Sequence, residues 1–236
     1  NPRRFVATDN TPTTPDRQGN PDLRPELAWG LDFGYEHYFA GDAGLISSNA
    51  LLRRIDEVII RQTSFVDNAW ISRPMNVGPA SVKSLEIEAK MRTKKLFKDW
   101  PDVDLRTNFA WNWSRLDIIP GPDNRLDRQR PFTAGLGIDY RNASMPMTLG
   151  ANFTYEAGGQ TRLSDNQFSY LNPRRILDLY GLWKVNNSTQ IRLTASNALK
   201  QDAIENNTFS DYTGVFTQTT TEKKRIVIRV SIEIKL

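Results

Sequence analysis

The last eleven residues, Ile226-Val227-Ile228-Arg229-Val230-Ser231-Ile232-Glu233-Ile234-Lys235-Leu236, decide the fold. Ile226, Ile228, Val230, Ile232, Ile234 and Leu236 fall on one face, and Val227, Arg229, Ser231, Glu233 and Lys235 on the other. Side chains alternate across a strand, so this strand shows an apolar wall to one side and polar groups to the other. Length and regularity point to a strand that crosses an outer membrane.

The same alternation recurs upstream. Leu27, Trp29, Leu31, Phe33, Tyr35, His37 and Phe39 share a face opposite Asp32 and Glu36. Further stretches begin at Leu85, Val103, Phe132, Met147, Leu177 and Ile191. The segment 44–62 is weaker, because Arg53-Arg54 blurs the register. This makes about nine strands, most near the ~10 residues that cross a bilayer at a tilt. Short connections at 40–44, 94–101, 142–146 and Asn186-Asn187 alternate with long ones at 63–79, 117–131, 159–173 and 200–222. Short turns at one end and long loops at the other are the pattern of an outer-membrane barrel. Counting back from a periplasmic C-terminus makes every long loop extracellular, with residues 1–25 the remnant of another such loop and 26–236 the barrel strands.

Aromatic residues mark both interfaces. Trp29, Trp113, Phe132 and Tyr155 sit beside long loops, and Phe39, Tyr140 and Trp183 beside short turns. Two girdles of this kind flank the apolar band of membrane barrels. No stretch of about 18 apolar residues exists for a transmembrane helix. Cysteine is absent, which removes disulfides and thiolate metal sites. The charge of +4 is dispersed, with no basic stripe for nucleic acid.

Nine strands leave two open edges, and an open sheet cannot stand in lipid. The expected fold is therefore all-β: an antiparallel transmembrane segment of a larger barrel. Gly19-Asn20-Pro21-Asp22-Leu23-Arg24-Pro25-Glu26, followed by Phe33-Gly34-Tyr35-Glu36, resembles a late-barrel motif of TonB-dependent outer-membrane receptors. Asn76-Val77-Gly78, Leu85-Glu86-Ile87-Glu88, Arg130-Pro131, Leu177-Asp178-Leu179 and Asn197-Ala198-Leu199 are similar to later segments of that family. The resemblance implies a barrel of about twenty-two strands around an N-terminal plug, in a receptor for scarce ligands such as ferric siderophores. Its partners would be the N-terminal remainder of the barrel, the plug, the TonB complex and outer-membrane lipid. Plug and TonB-interacting segment are expected to lie outside these residues. The family commonly finishes on an aromatic residue, where this chain has Leu236.

No catalytic residue, cofactor or metal site is expected. His37 is the one histidine and sits on the apolar face, which suits a girdle and leaves no base for a Ser-His site. Glu86 and Glu88 are expected to face a wet lumen or to pair with Arg106. Candidate ligand contacts are the loop residues Trp70, Arg73, Arg125, Arg128, Arg130, Phe168, Tyr170, Tyr212 and Phe216. Arginine forks suit anionic chelates, and aromatic rings stack on catechols or sugars. The competing readings are another outer-membrane barrel, of porin, assembly or adhesion type, and a soluble β-sandwich that binds carbohydrate.

Overall fold

The computed structural model describes residues 9–234. It contains sixteen strands: β1 Asp16–Arg17, β2 Leu27–Phe39, β3 Gly44–Asp56, β4 Ile59–Val66, β5 Ala69–Asn76, β6 Ala80–Arg92, β7 Asp102–Leu116, β8 Phe132–Arg141, β9 Met147–Glu156, β10 Gly159–Arg162, β11 Gln167–Leu171, β12 Arg174–Lys184, β13 Thr189–Ser196, β14 Ala203–Asp211, β15 Gly214–Glu222 and β16 Val227–Ile234. The only α-helix among the described residues is the four-residue turn α1, Thr93–Leu96.

Nine strands form one antiparallel sheet in the order β16-β13-β12-β9-β8-β7-β6-β3-β2. These are the nine that the alternation marks. Their register keeps like faces together: Ile232 sits opposite Ile191, Ile191 opposite Trp183, and Leu179 opposite Ala151. Leu85 sits opposite Ala50, and Leu31 opposite Leu52. A slip of one residue would turn a whole strand inside out, so the apolar face itself specifies the pairing. Lys235 and Leu236, the end of the alternating stretch, lie outside the described residues.

Among the described residues, no second layer covers this sheet. Leu31, Phe33, Leu179, Val230 and Ile232 are all exposed on its apolar face. A soluble sheet buries such a face against helices or another sheet, so the sandwich reading fails. The first and last strands of the sheet, β2 and β16, have free outer edges among the described residues. The barrel is therefore not closed by these strands.

The long connections carry strands of their own. The stretch 44–62 divides at Glu57, whose φ of 57° breaks the strand between β3 and β4. Beyond it, β4 and β5 form a hairpin closed by Asp67-Asn68, with φ of 49° and 64°. Positive φ at both central residues is the twist-matched hairpin turn that Asn and Asp tolerate. The connections 159–173 and 200–222 likewise hold the hairpins β10–β11 and β14–β15. These strands lack a consistent apolar face, as in Ala-Trp-Ile-Ser-Arg-Pro-Met-Asn of β5, so period two is faint in them. Connection 117–131 contains no strand.

Candidate functional site

The long-loop rim is a built structure standing on the wall. β10, β11, β14 and β15 form a four-stranded sheet in that order. β10 follows β9, β11 leads into β12, β14 follows β13 and β15 leads into β16, so the wall simply continues upward. The β4–β5 hairpin rises from β3 and β6. Along its β5 edge runs the stretch that precedes β2, as β1 paired parallel to β5. Asn10 exchanges hydrogen bonds with the Trp70 backbone at 2.6 and 2.9 Å, Asn20 donates to the Pro74 carbonyl, and Arg24 pairs with Glu57 at 2.8 Å.

Where hairpin meets wall lies the one buried apolar cluster among the described residues: Val58, Val77, Ala80, Leu116 and Ile119. Leu126, from connection 117–131, packs on it. Asn124 donates to the carbonyls of Leu116 and Ile119, pinning that connection to the same spot. The two rim units also touch each other. The Thr63 amide donates to Gln167, and Trp70 meets Phe209 edge-on at 4.9 Å.

The arginines named from the sequence are brought to this rim but are engaged there. Arg125 donates to the Gln160 carbonyl, and Arg130 to the carbonyls of Ala157 and Asn172. Arg130 also lies 3.6 Å from Glu156. Arg73 donates to Gln18. Arg128 is more open, with its side chain 65% exposed, and pairs with Glu205 at 2.6 Å. Among the aromatics, Trp70 is sandwiched between Phe65 and Phe209, and Phe168 carries Arg162 over its ring at 5.6 Å. Tyr170 and Phe216 are exposed, and Tyr212 is fully exposed at the β14–β15 turn.

Two arginines that the sequence reading passed over complete the arrangement. Arg17 on β1 and Arg61 on β4 line a cavity of about 330 Å³ together with Arg128, Phe168 and Phe209, and the carboxylates Asp127 and Glu205 line it too. Arg61 uses one nitrogen on the Ser72 carbonyl at 2.9 Å. The Asp67-Asn68 dipeptide is the sequence signal that points to them, since a hairpin there lifts Arg61 above the wall. A wider groove of about 710 Å³ lies at the short-turn end, among Pro146, residues 184–190 and Glu233.

Several charges on the polar face of the wall are paired. Arg92 pairs with Asp102 at 2.9 Å, Arg141 with Asp104 at 2.5 Å and Arg106 with Asp139 at 2.7 Å. Tyr180 donates to Asp139, and Arg192 lies over the Tyr180 ring. Arg106 thus takes Asp139 as its partner in place of Glu86 or Glu88.

The family model described as TonB dependent receptor-like, beta-barrel, matches residues 3–198. The chain belongs to the TonB-dependent receptor family. Solved structures agree in fold. A copper transporter, OprC, superposes with TM-score 0.67 at 16% identity, over 94% of this chain and 34% of its own. The ferric enterobactin receptor PfeA of Pseudomonas aeruginosa, as a mutant in complex with enterobactin, gives TM-score 0.61 at 16% identity, over 92% and 32%. The iron transporter FrpB of Neisseria meningitidis gives 0.57 at 12%, over 94% and 32%. The chain thus spans about a third of the length of these structures. No curated protein matches it.

Receptors of this family are outer-membrane barrels, so the exposed apolar face of the wall is its lipid face and the charged face its lumen. This membership sets aside the porin, assembly-barrel and carbohydrate-module readings. The aromatic residues marked from the sequence stand at the two ends of the apolar face. Phe132 stands 5.3 Å from Trp111 and 6.0 Å from Tyr155, while Trp29 and Trp113 project freely at the same rim. At the short-turn end Phe39 meets His37 edge-on at 5.2 Å, and Trp183 is exposed. Phe97 and Trp100, tilted against each other at 4.7 Å beside α1, are exposed at the same short-turn end.

Proposed function

We propose that the chain is the C-terminal barrel portion of a receptor that captures a ferric siderophore for uptake. Residues 26–236 supply barrel wall and rim, residues 1–25 end an extracellular connection, and the C-terminus faces the periplasm. The observation that carries the reading is the rim cavity, where Arg17, Arg61 and Arg128 outnumber the carboxylates Asp127 and Glu205 beside Phe168 and Phe209. A ferric chelate with anionic oxygen donors offers planar, negatively charged edges, which guanidinium forks match bidentately. Aromatic rings add stacking surface at small entropic cost.

Two of the three neighbours support this reading, since PfeA is a ferric enterobactin receptor and FrpB an iron transporter, whereas OprC is a copper transporter. Within the whole receptor, the plug would close the lumen behind the captured ligand, and the TonB complex would drive its release inward. Trp70, Arg73, Arg125, Arg130, Tyr170, Tyr212 and Phe216 shape the rim, and Arg125 and Arg130 do so chiefly by holding connection 117–131 in place.

The test uses the intact receptor in isolated outer membranes. Binding of a ferric catecholate is followed by fluorescence quenching, beside the same chelator without iron and a copper salt. Arg61→Ala combined with Arg128→Ala should weaken ferric-chelate binding by at least about tenfold, since charge-assisted bonds contribute roughly 1.5–3 kcal/mol each. Equal affinity for the variant and the native receptor, or preference for the copper salt, would sink the reading.

A further inference from the structure

The outer edge of β15 is the feature that rim and wall leave unexplained. β15 descends into β16, and β16 is the last strand of the wall. Among the described residues, β15 pairs only with β14 and β16 only with β13, so their outer edges are both free.

Other edges at the rim are covered. Arg162 of β10 donates its amide to the Asp123 carbonyl, and Arg125 reaches the Gln160 carbonyl. On β4 the amides of Ile59 and Thr63 donate to the side chains of Glu26 and Gln167. β5 is flanked by β1, and the Gln18 amide continues that contact onto the Ser72 carbonyl. β15 has no such cover among the described residues.

Nor does its sequence protect it. Free edges are usually short, charged, or interrupted by proline or a bulge. β15 runs for nine residues, and Gly-Val-Phe-Thr-Gln-Thr-Thr-Thr before Glu222 carries neither charge nor proline. Val, Phe and Thr are strand formers, and threonines pair well across strands. Such a strand is a template for an added strand.

We propose that β15 is completed by strand addition from the same receptor polypeptide, by the segment that follows the barrel strand paired with β16. Continuity of the two edges selects this occupant. β16 cannot keep an open backbone edge in lipid, so a barrel strand lies against it. β16 runs from the long-loop rim toward the short turns, so its antiparallel neighbour runs upward and leaves the wall beside β15. The chain that emerges there meets Val215–Thr221 in antiparallel sense, and the seam of the barrel continues above the membrane. The inference rests on reading the chain as part of a receptor barrel.

A photo-crosslinking amino acid at Thr219, in the intact receptor in isolated outer membranes, tests it. Peptide mapping is expected to find the crosslink within the same polypeptide, directly after the strand that neighbours β16. Amides of Val215–Thr221 are expected to exchange on the order of a hundredfold faster when that segment is replaced by a Gly-Ser linker. A crosslink to residues 1–8, to a second copy, to another protein or to lipopolysaccharide overturns the proposal, as does unchanged exchange. Ligand uptake is scored on the same membranes. Uptake lost with the crosslink intact counts against the receptor reading alone, and uptake retained without the crosslink counts against the seam alone.

Discussion

Gly150 shows how the lumen wall is fitted at the level of one atom. A Cβ there would fall 2.0 Å from a Tyr180 ring carbon and 2.7 Å from an Asp139 oxygen. Gly150→Ala should push Tyr180 off Asp139 and release Arg106 from its place. Overpacking of this kind costs about 1–3 kcal/mol. Urea titration of the receptor refolded into lipid vesicles would measure it, and an unchanged midpoint would contradict the fit. Asp211 governs the opposite extreme, an exposed turn. The Thr213 hydroxyl at 2.5 Å, then the Thr213 amide at 2.8 Å, hold its carboxyl below its ordinary value of 3.8. A depressed pKa contributes stability above the unfolded value and loses it as pH falls through the folded value. The β14–β15 turn should therefore stay closed at about pH 4 and open only below it. Hydrogen exchange at Thr213 across that range checks this, and opening already above about pH 5 would refute it.

The hairpin β4–β5 is the element on which the rim depends, and the cluster of Val58, Val77, Ala80, Leu116 and Ile119 holds its base. Leu116 is 3% exposed, so Leu116→Ala should cost about 2–5 kcal/mol. The loss should stay local, appearing as protease cleavage near Asp67-Asn68 while the wall remains folded. Cleavage at the native rate would mean that the cluster does not anchor the hairpin. The nine wall strands were legible in the sequence because lipid on one side and water on the other force a strict period of two. The seven rim strands were not, because both of their faces are wet or only partly covered. The same limit applied to the site. Arg125 and Arg130 stood out as loop arginines, yet their backbone acceptors at Gln160, Ala157 and Asn172 come from a different connection, between β9 and β12. Arg17 and Arg61 went unremarked because only the hairpin brings them together.

A single-layer sheet with Leu31, Phe33, Leu179 and Ile232 exposed makes sense only if the bilayer is the second layer. Leu179→Arg near mid-wall should then cost about 2–4 kcal/mol in vesicles, and Thr194→Arg on the lumen face close to nothing. Nine strands and two free edges also make the wall dependent on strands that complete the barrel. The most direct measurement places nitroxide labels singly at Leu177, Asp178, Leu179, Tyr180 and Gly181 of the receptor in lipid vesicles. Collision rates are then recorded with oxygen, which partitions into lipid, and with a water-soluble nickel chelate. Alternation is expected along β12, with oxygen contact dominant at Leu177, Leu179 and Gly181 and nickel contact at Asp178 and Tyr180. Equal exposure of both faces to the nickel chelate, or protection of both from oxygen, would contradict a membrane wall.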